Sequence, residues 1–209
     1  MKKNIIKTAL VLLAGLSFAS CDLTEPMQVQ ADKAMIFGTE SGLKTYSWSF
    51  YKMLPNIEDS FLQENGKVDY FVVRKMNNFF IDGAYTAETS TSWSWGNLRN
   101  VNYFLDGLKS KECTVDAKTV AHYEGLARWF RALFYFDKLT TYGEVPWFDK
   151  ELQNYEFDLM YKDRDSRDVI VKNIIADLDF AYENIQTTSS TGSSLVSKWA
   201  AAGLKSRVC

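Results

Sequence analysis

The sequence predicts an all-α fold, an array of stacked helical hairpins with irregular loops and at most a short strand. Three observations predict it. Residues 123–147, YEGLARWFRALFYFDKLTTYGEVPW, form a long helical pattern with aromatics almost all the way round, closed by Gly143 and Pro146. A helix apolar on most of its circumference lies in an interior and has to be clasped by neighbours. A clean stripe of Val171, Ile174, Ile175, Leu178, Tyr182 and Ile185 marks a second buried helix face. The helical patterns also come in pairs, 95–110 with 117–142 and 167–185 with 195–209. Hairpins that cannot bury their faces alone must stack, as tetratricopeptide arrays do.

The elements follow in order. Lys2, Lys3 and Lys7 precede an apolar run from Thr8 to Ala19. That run is too short to span a bilayer core of about 30 Å. Phe18-Ala19-Ser20-Cys21 resembles a bacterial lipobox, with Phe where Leu is usual. The resemblance implies a signal peptide at 1–20, cleavage before Cys21 and acylation of Cys21. Acyl chains contribute about 0.8 kcal/mol per buried CH₂, so several of them hold a protein on a membrane. Residues 21–35 are polar, carry Pro26 and read as a tether. The helical domain is expected over 36–209.

Thr39 is placed to cap a helix over 40–54, with Leu43, Tyr46, Phe50 and Leu54 on one face and Pro55 as its stop. Val68, Tyr70 and Val72 alternate with Asp69 and Phe71, which suggests the short strand. Residues 84–92 are a polar Thr/Ser loop. A helix over 95–110 carries Leu98, Val101, Leu105 and Leu108 on one stripe. Asp116 is the expected N-cap of 117–142, and Ser166 or Asp165 that of 167–185. A loop at 186–194 leads to a last helix from about Leu195. Its pattern has no Gly or Pro stop, so 36–209 is expected to be the N-terminal part of a longer helical domain, incomplete at its C-terminus.

Composition narrows the function classes. The net charge of −2 offers no overall basic field for nucleic acid. His122 is the only histidine, which excludes catalysis by His pairs and multi-His metal sites. Cys21, Cys113 and Cys209 lie far apart, so no clustered metal site is expected. Cys113 and Cys209 read as free thiols, with a disulfide between them as the alternative. No cofactor is implied. Aromatics reach 15% of residues, more than a core needs, which leaves room for aromatic surface patches.

At 100° per residue, Leu126, Phe130, Leu133 and Phe134 share one arc of the central helix, widened by Trp129 and Phe136. Glu124, Arg128, Arg131 and Lys138 read as a narrow polar strip. Ala121, Gly125 and Ala132 form a small-residue stripe, and the stripe is expected to admit another helix closely. Asp137 falls in the middle of the apolar arc, where a carboxylate needs a partner. A structural role outweighs a catalytic one, because no second acid or His is placed to work with it.

Residues 125–148, GLARWFRALFYFDKLTTYGEVPWF, resemble the signature helix of the SusD/RagB family of Bacteroidetes outer-membrane lipoproteins. The match is carried by Arg131-Ala132, Tyr135-Phe136-Asp137 and Tyr142-Gly143-Glu144-Val145-Pro146. Segments 93–108, 164–185 and 197–208 resemble further family helices, and the lipobox with Asp22 and Glu25 also fits. The resemblance implies a SusD-like helical fold and a non-catalytic protein at the outer membrane, lipid-anchored and facing outward. Such a protein captures an oligosaccharide and passes it to a SusC-like TonB-dependent transporter.

Aromatic faces stack on sugar rings, and a few polar groups bond the hydroxyls. The candidate ligand residues are therefore Trp93, Tyr85 and Trp95, with Asp82 and Asn78, in or beside the loop before the 95–110 helix. Trp93 sits among Thr and Ser outside any apolar stripe, which favours contact with a ligand; the alternative is a cap on the helical core. Two other readings stand beside this one. One is a tetratricopeptide-like scaffold for a protein partner. The other is a glycoside hydrolase drawing on Glu58, Asp59, Glu64 and Asp82.

Overall fold

A computed structural model describes residues 32–56, 81–84, 86, 92–186 and 195–209. The order is α1 (Lys33–Phe37), α2 (Glu40–Ser47), a 3-10 helix (Trp48–Met53), α3 (Gly96–Leu108), α4 (Ala117–Tyr142), α5 (Phe157–Met160), α6 (Arg167–Asn184) and α7 (Lys198–Val208). Among the described residues there is no strand, only an isolated antiparallel bridge between Val145 and Asp165. The fold is all-α, as the periodicity predicts. The expected strand at 68–72, with Tyr85, Asn78 and Cys21, lies outside the described residues. Among the described residues no helix is long and apolar enough to cross a membrane.

Start signals are read correctly where a side chain does the capping. Thr39 Oγ1 accepts from Gly42 N at 3.1 Å. Asp116 Oδ1 accepts from Lys118 N and Thr119 N, both at 3.1 Å. Such caps contribute about 1 kcal/mol each. Ser166 occupies the N-cap of α6 without a side-chain bond, and the neighbouring Asp165 carboxylate accepts from Trp147 N instead. Gly143 ends α4 with φ 77°, a conformation that favours glycine. The helix expected over 40–54 is two pieces, since the chain tightens into 3-10 geometry at Trp48. The helical unit begins at Lys33, inside the stretch read as tether, and fully buried Phe37 anchors it.

The core centres on α4, with α3 on one side and α6 on the other, and α7 packs on α6. Phe37, Phe50, Phe104 and Phe130 are all fully buried. Their rings meet at 5.7 Å (Phe37–Phe104), 5.4 Å (Phe50–Phe104) and 5.7 Å (Phe50–Phe130). This aromatic contact fastens α1, α2 and the 3-10 helix to the α3/α4 hairpin. Gly125 allows the close approach expected of it: a Cβ there would lie 3.2 Å from Ile185 Cγ1 and 3.5 Å from Ala181 Cα. His122 has a structural partner, its Nδ1 accepting from Gln186 N at 3.0 Å. Cys113 and Cys209 are free thiols.

Gly107 is tighter still. A Cβ there would stand 1.9 Å from Phe37 Cζ, on a ring with no room to swing away. Gly107→Ala is expected to lose up to about 2 kcal/mol in urea unfolding. The overpacking penalty of about 1–3 kcal/mol exceeds the gain of about 1 kcal/mol from helix propensity. A stabilised variant would contradict this packing.

The angular reading of α4 needs two corrections. Asp137 is exposed, not buried in the apolar arc. At about 1.5 Å per residue, α4 is about 39 Å long and α3 about 20 Å, so no single face of α4 stays covered along its length. The supposed polar strip is instead an interface. Arg131 and Lys138 are both buried, and Arg128 lays its guanidinium 4.1 Å from the Phe180 ring centre on α6. The Glu124–Arg128 pair forms as expected, at 2.6 Å, but beside α6.

Candidate functional site

The chain leaves α4 through Gly143 and Pro146 and runs alongside α3, within reach of Arg99, Asn102 and Asp106. Side chains of α3 and α4 hold this 145–151 segment. Tyr135 Oη accepts from Phe148 N at 2.6 Å, and burial pushes its hydroxyl pKa well above the usual tyrosine value, so it stays neutral. Asn102 Nδ2 donates to the carbonyls of Phe148 and Lys150, both at 3.0 Å. Asp106 Oδ2 accepts from Glu151 N at 2.8 Å. Arg131 Nη1 donates to the Asp149 carbonyl at 3.3 Å.

Arg131 is itself fixed by Asp177 of α6, through two bonds of 2.7 Å to the two carboxylate oxygens. Burial opposes its charge, but the Asp177 hydrogen bond and charge more than offset this and raise its pKa. On the other flank, Asp165 accepts from Trp147 N at 2.6 Å and pairs with Lys162 at 2.7 Å. Burial would raise the Asp165 carboxyl; these two donors hold it below the usual range. The motif residues Arg131 and Tyr135 thus position a peptide segment rather than perform chemistry.

The pinned segment forms one wall of an open cleft of about 430 Å³. Trp93 and Trp95, ahead of α3, form the other. The two indoles meet edge-on, 5.2 Å apart. Trp95 is half-buried and leans on Phe134 at 5.6 Å and Phe148 at 5.4 Å. Trp93 is 42% exposed, with one edge against Tyr142 at 4.9 Å and the Arg164 guanidinium 5.3 Å from its ring centre. Trp93 is therefore anchored at one side and open at another. The buried Lys138 ammonium supports the Trp93 loop from beneath by bonding the Ser92 carbonyl.

Polar groups converge on this aromatic surface. Arg99, Asn102, Lys150 and Asn154 line the cleft, while Leu98, Pro146 and Met160 complete its apolar part. Arg99 pairs with Glu151 at 3.2 Å and Lys150 with Glu156 at 2.5 Å. The fold brings Trp93 and Trp95 together, as expected. Asp82 sits exposed in a turn and does not line this cleft. Arg99, Lys150 and Asn154 were not anticipated. Arg99 was legible, since it lies one helical turn after Trp95 and shares its face. Lys150 and Asn154 were not, because only the pinned segment carries them to the site. Among the described residues, no group of three or more His, Cys, Asp or Glu side chains could hold a metal.

Comparison with known proteins agrees with the helical architecture. The chain is similar to the crystal structure of a SusD-like protein from Bacteroides fragilis, with a TM-score of 0.68 at 25% identity. The match covers 85% of this chain and 36% of that one, so the chain spans about a third of the length of that relative. No curated protein matches. Residues 43–209 match the SusD-like family described as starch-binding, associating with outer membrane. With its signature helix, its helical-hairpin architecture and this match over most of its length, the chain belongs to the SusD-like family.

Proposed function

We propose that this chain is part of a cell-surface lipoprotein that binds an oligosaccharide and passes it to a SusC-like TonB-dependent transporter in the outer membrane. In this reading 1–20 is a signal peptide, Cys21 carries the lipid, 21–35 is the tether and 36–209 is the N-terminal part of the helical domain. The protein binds and does not turn over its ligand. The observation that carries the reading is the cleft at Trp93 and Trp95. It joins a partly open indole to the polar side chains of Arg99, Lys150 and Asn154, beside a wall held by buried contacts. Sugar recognition needs this mixture of an apolar platform and fixed polar groups. Membership of a family described as starch-binding supports it. Of the acids considered for hydrolysis, Asp82 alone lies among the described residues, away from the cleft lining.

The reading is tested by affinity electrophoresis of the protein through gels cast with a panel of glycans. At least one glycan is expected to retard it. Trp93→Ala should weaken that retention about two- to tenfold, since an aromatic stacking contact contributes about 0.5–1.5 kcal/mol. Unchanged mobility across the panel, or release of reducing ends during incubation, would sink the proposal.

A further inference from the structure

We propose that the Trp93/Trp95 cleft takes an anionic oligosaccharide, one bearing carboxylate or sulfate groups, rather than a neutral glucan. This rests on the cleft being the glycan site. The chain as a whole is slightly acidic, with a net charge of −2. The described side chains that line the cleft carry the opposite sign. Its described lining includes Arg99 and Lys150 and no Asp or Glu.

Glu151 and Glu156, the partners of those two cations, are not part of that lining. Arg99 and Lys150 are about half exposed, with 54% and 47% of their side chains accessible. Ion pairs this exposed contribute little, about 0–1 kcal/mol, so an incoming anion can share or replace the carboxylates at small cost.

The Trp93 end is more basic still. Arg164 is exposed, lies over the Trp93 ring, and forms no ion pair with a carboxylate among the described residues. Lys138 is buried and likewise has no carboxylate partner among them; it rests on the Ser92 carbonyl and the rings of Phe134 and Tyr142. Nearby Lys162 pairs with Asp165, so among the described residues the cations at this end without a carboxylate partner are Arg164 and Lys138.

A planar guanidinium beside an indole presents its N–H groups in a fixed plane. Carboxylate and sulfate oxygens accept from such a fork in pairs. A sugar stacked on the open part of Trp93 would bring an acidic substituent to Arg164, with Lys138 raising the local potential from below. A neutral sugar makes no use of either charge.

The test is calorimetric titration of the protein with three oligosaccharides of equal length: a uronate oligomer, a sulfated oligomer and a maltooligosaccharide. At least one acidic ligand is expected to bind about tenfold more tightly than the neutral one, and added salt should erode the difference. Which acidic arm binds identifies the group. Arg164→Gln is exposed and should fold normally, which circular dichroism checks. It should cost the acidic ligand about tenfold, well beyond its effect on any neutral binding. Lys109→Gln, an exposed change at the far end of α3, should have no effect. If the neutral oligomer binds as well or better and ignores Arg164→Gln, the inference falls while the glycan cleft stands. If Lys109→Gln weakens acidic binding as much as Arg164→Gln, the attraction is diffuse and the inference falls. If no arm binds, both the inference and the proposed function fail.

Discussion

Asp177→Ala is expected to lower the unfolding free energy by about 3–5 kcal/mol, the largest loss of any single polar substitution here. Asp177 and Arg131 are both buried, with side chains 3% and 8% exposed, and meet through two bonds of 2.7 Å. Removing the carboxylate leaves a guanidinium with no counter-charge in a medium that solvates it poorly. Arg128, 3.6 Å from the same carboxylate, loses a second partner. The loss would appear as a lower urea midpoint in far-ultraviolet circular dichroism. A change below about 1 kcal/mol would show that the pair is not desolvated as described. Replacing both partners, Arg131→Met with Asp177→Leu, should recover much of the stability, since apolar groups of similar volume need no compensation. It should not restore ligand binding, because Arg131 also supports the Asp149 carbonyl.

Tyr135→Ala is expected to cost about 3–5 kcal/mol, in the range of other buried aromatic truncations. The ring is fully buried and stacks on Trp147 at 4.1 Å with 27° between planes. Tyr135→Phe separates packing from hydrogen bonding. It keeps the ring and removes the acceptor for Phe148 N, leaving that N–H without its partner at a cost of about 1–3 kcal/mol. The Phe variant should also bind the cleft ligand less well, because Phe148 and its neighbours form the wall facing Trp95. Chemical unfolding with glycan titration on the same samples would check both effects. Full binding by a destabilised Tyr135→Phe protein would disconnect this segment from the site.

The helices were legible where side chains act on their own backbone. Asp116 and Thr39 cap locally, and Gly143 turns locally, so reading them needs no knowledge of neighbours. Asp137 and Lys138 were misread for the opposite reason. Their burial depends on what lies against each stretch of a 26-residue helix, and helical angle carries no such information. Arg131 looked like a surface charge in one dimension; its burial depends on Asp177, 46 positions later. The site divides the same way. Trp93 and Trp95 stood out as aromatics before a helix, and Arg99 lies one helical turn after Trp95. Lys150 and Asn154 reach the cleft only because Tyr135, Asn102, Asp106 and Arg131 draw the 145–151 segment against α3.

By itself, then, the sequence determined the all-α class, the helix order, the close approach at Gly125 and the family. Those follow from periodicity, capping and short motifs, all of which are properties of nearby residues. The tertiary structure alone decided which charges are buried, that the motif residues Arg131 and Tyr135 serve as struts, and that the indoles share a cleft with Arg99, Lys150 and Asn154. These follow from contacts between residues distant along the chain, where burial changes what a charge or a hydroxyl is worth.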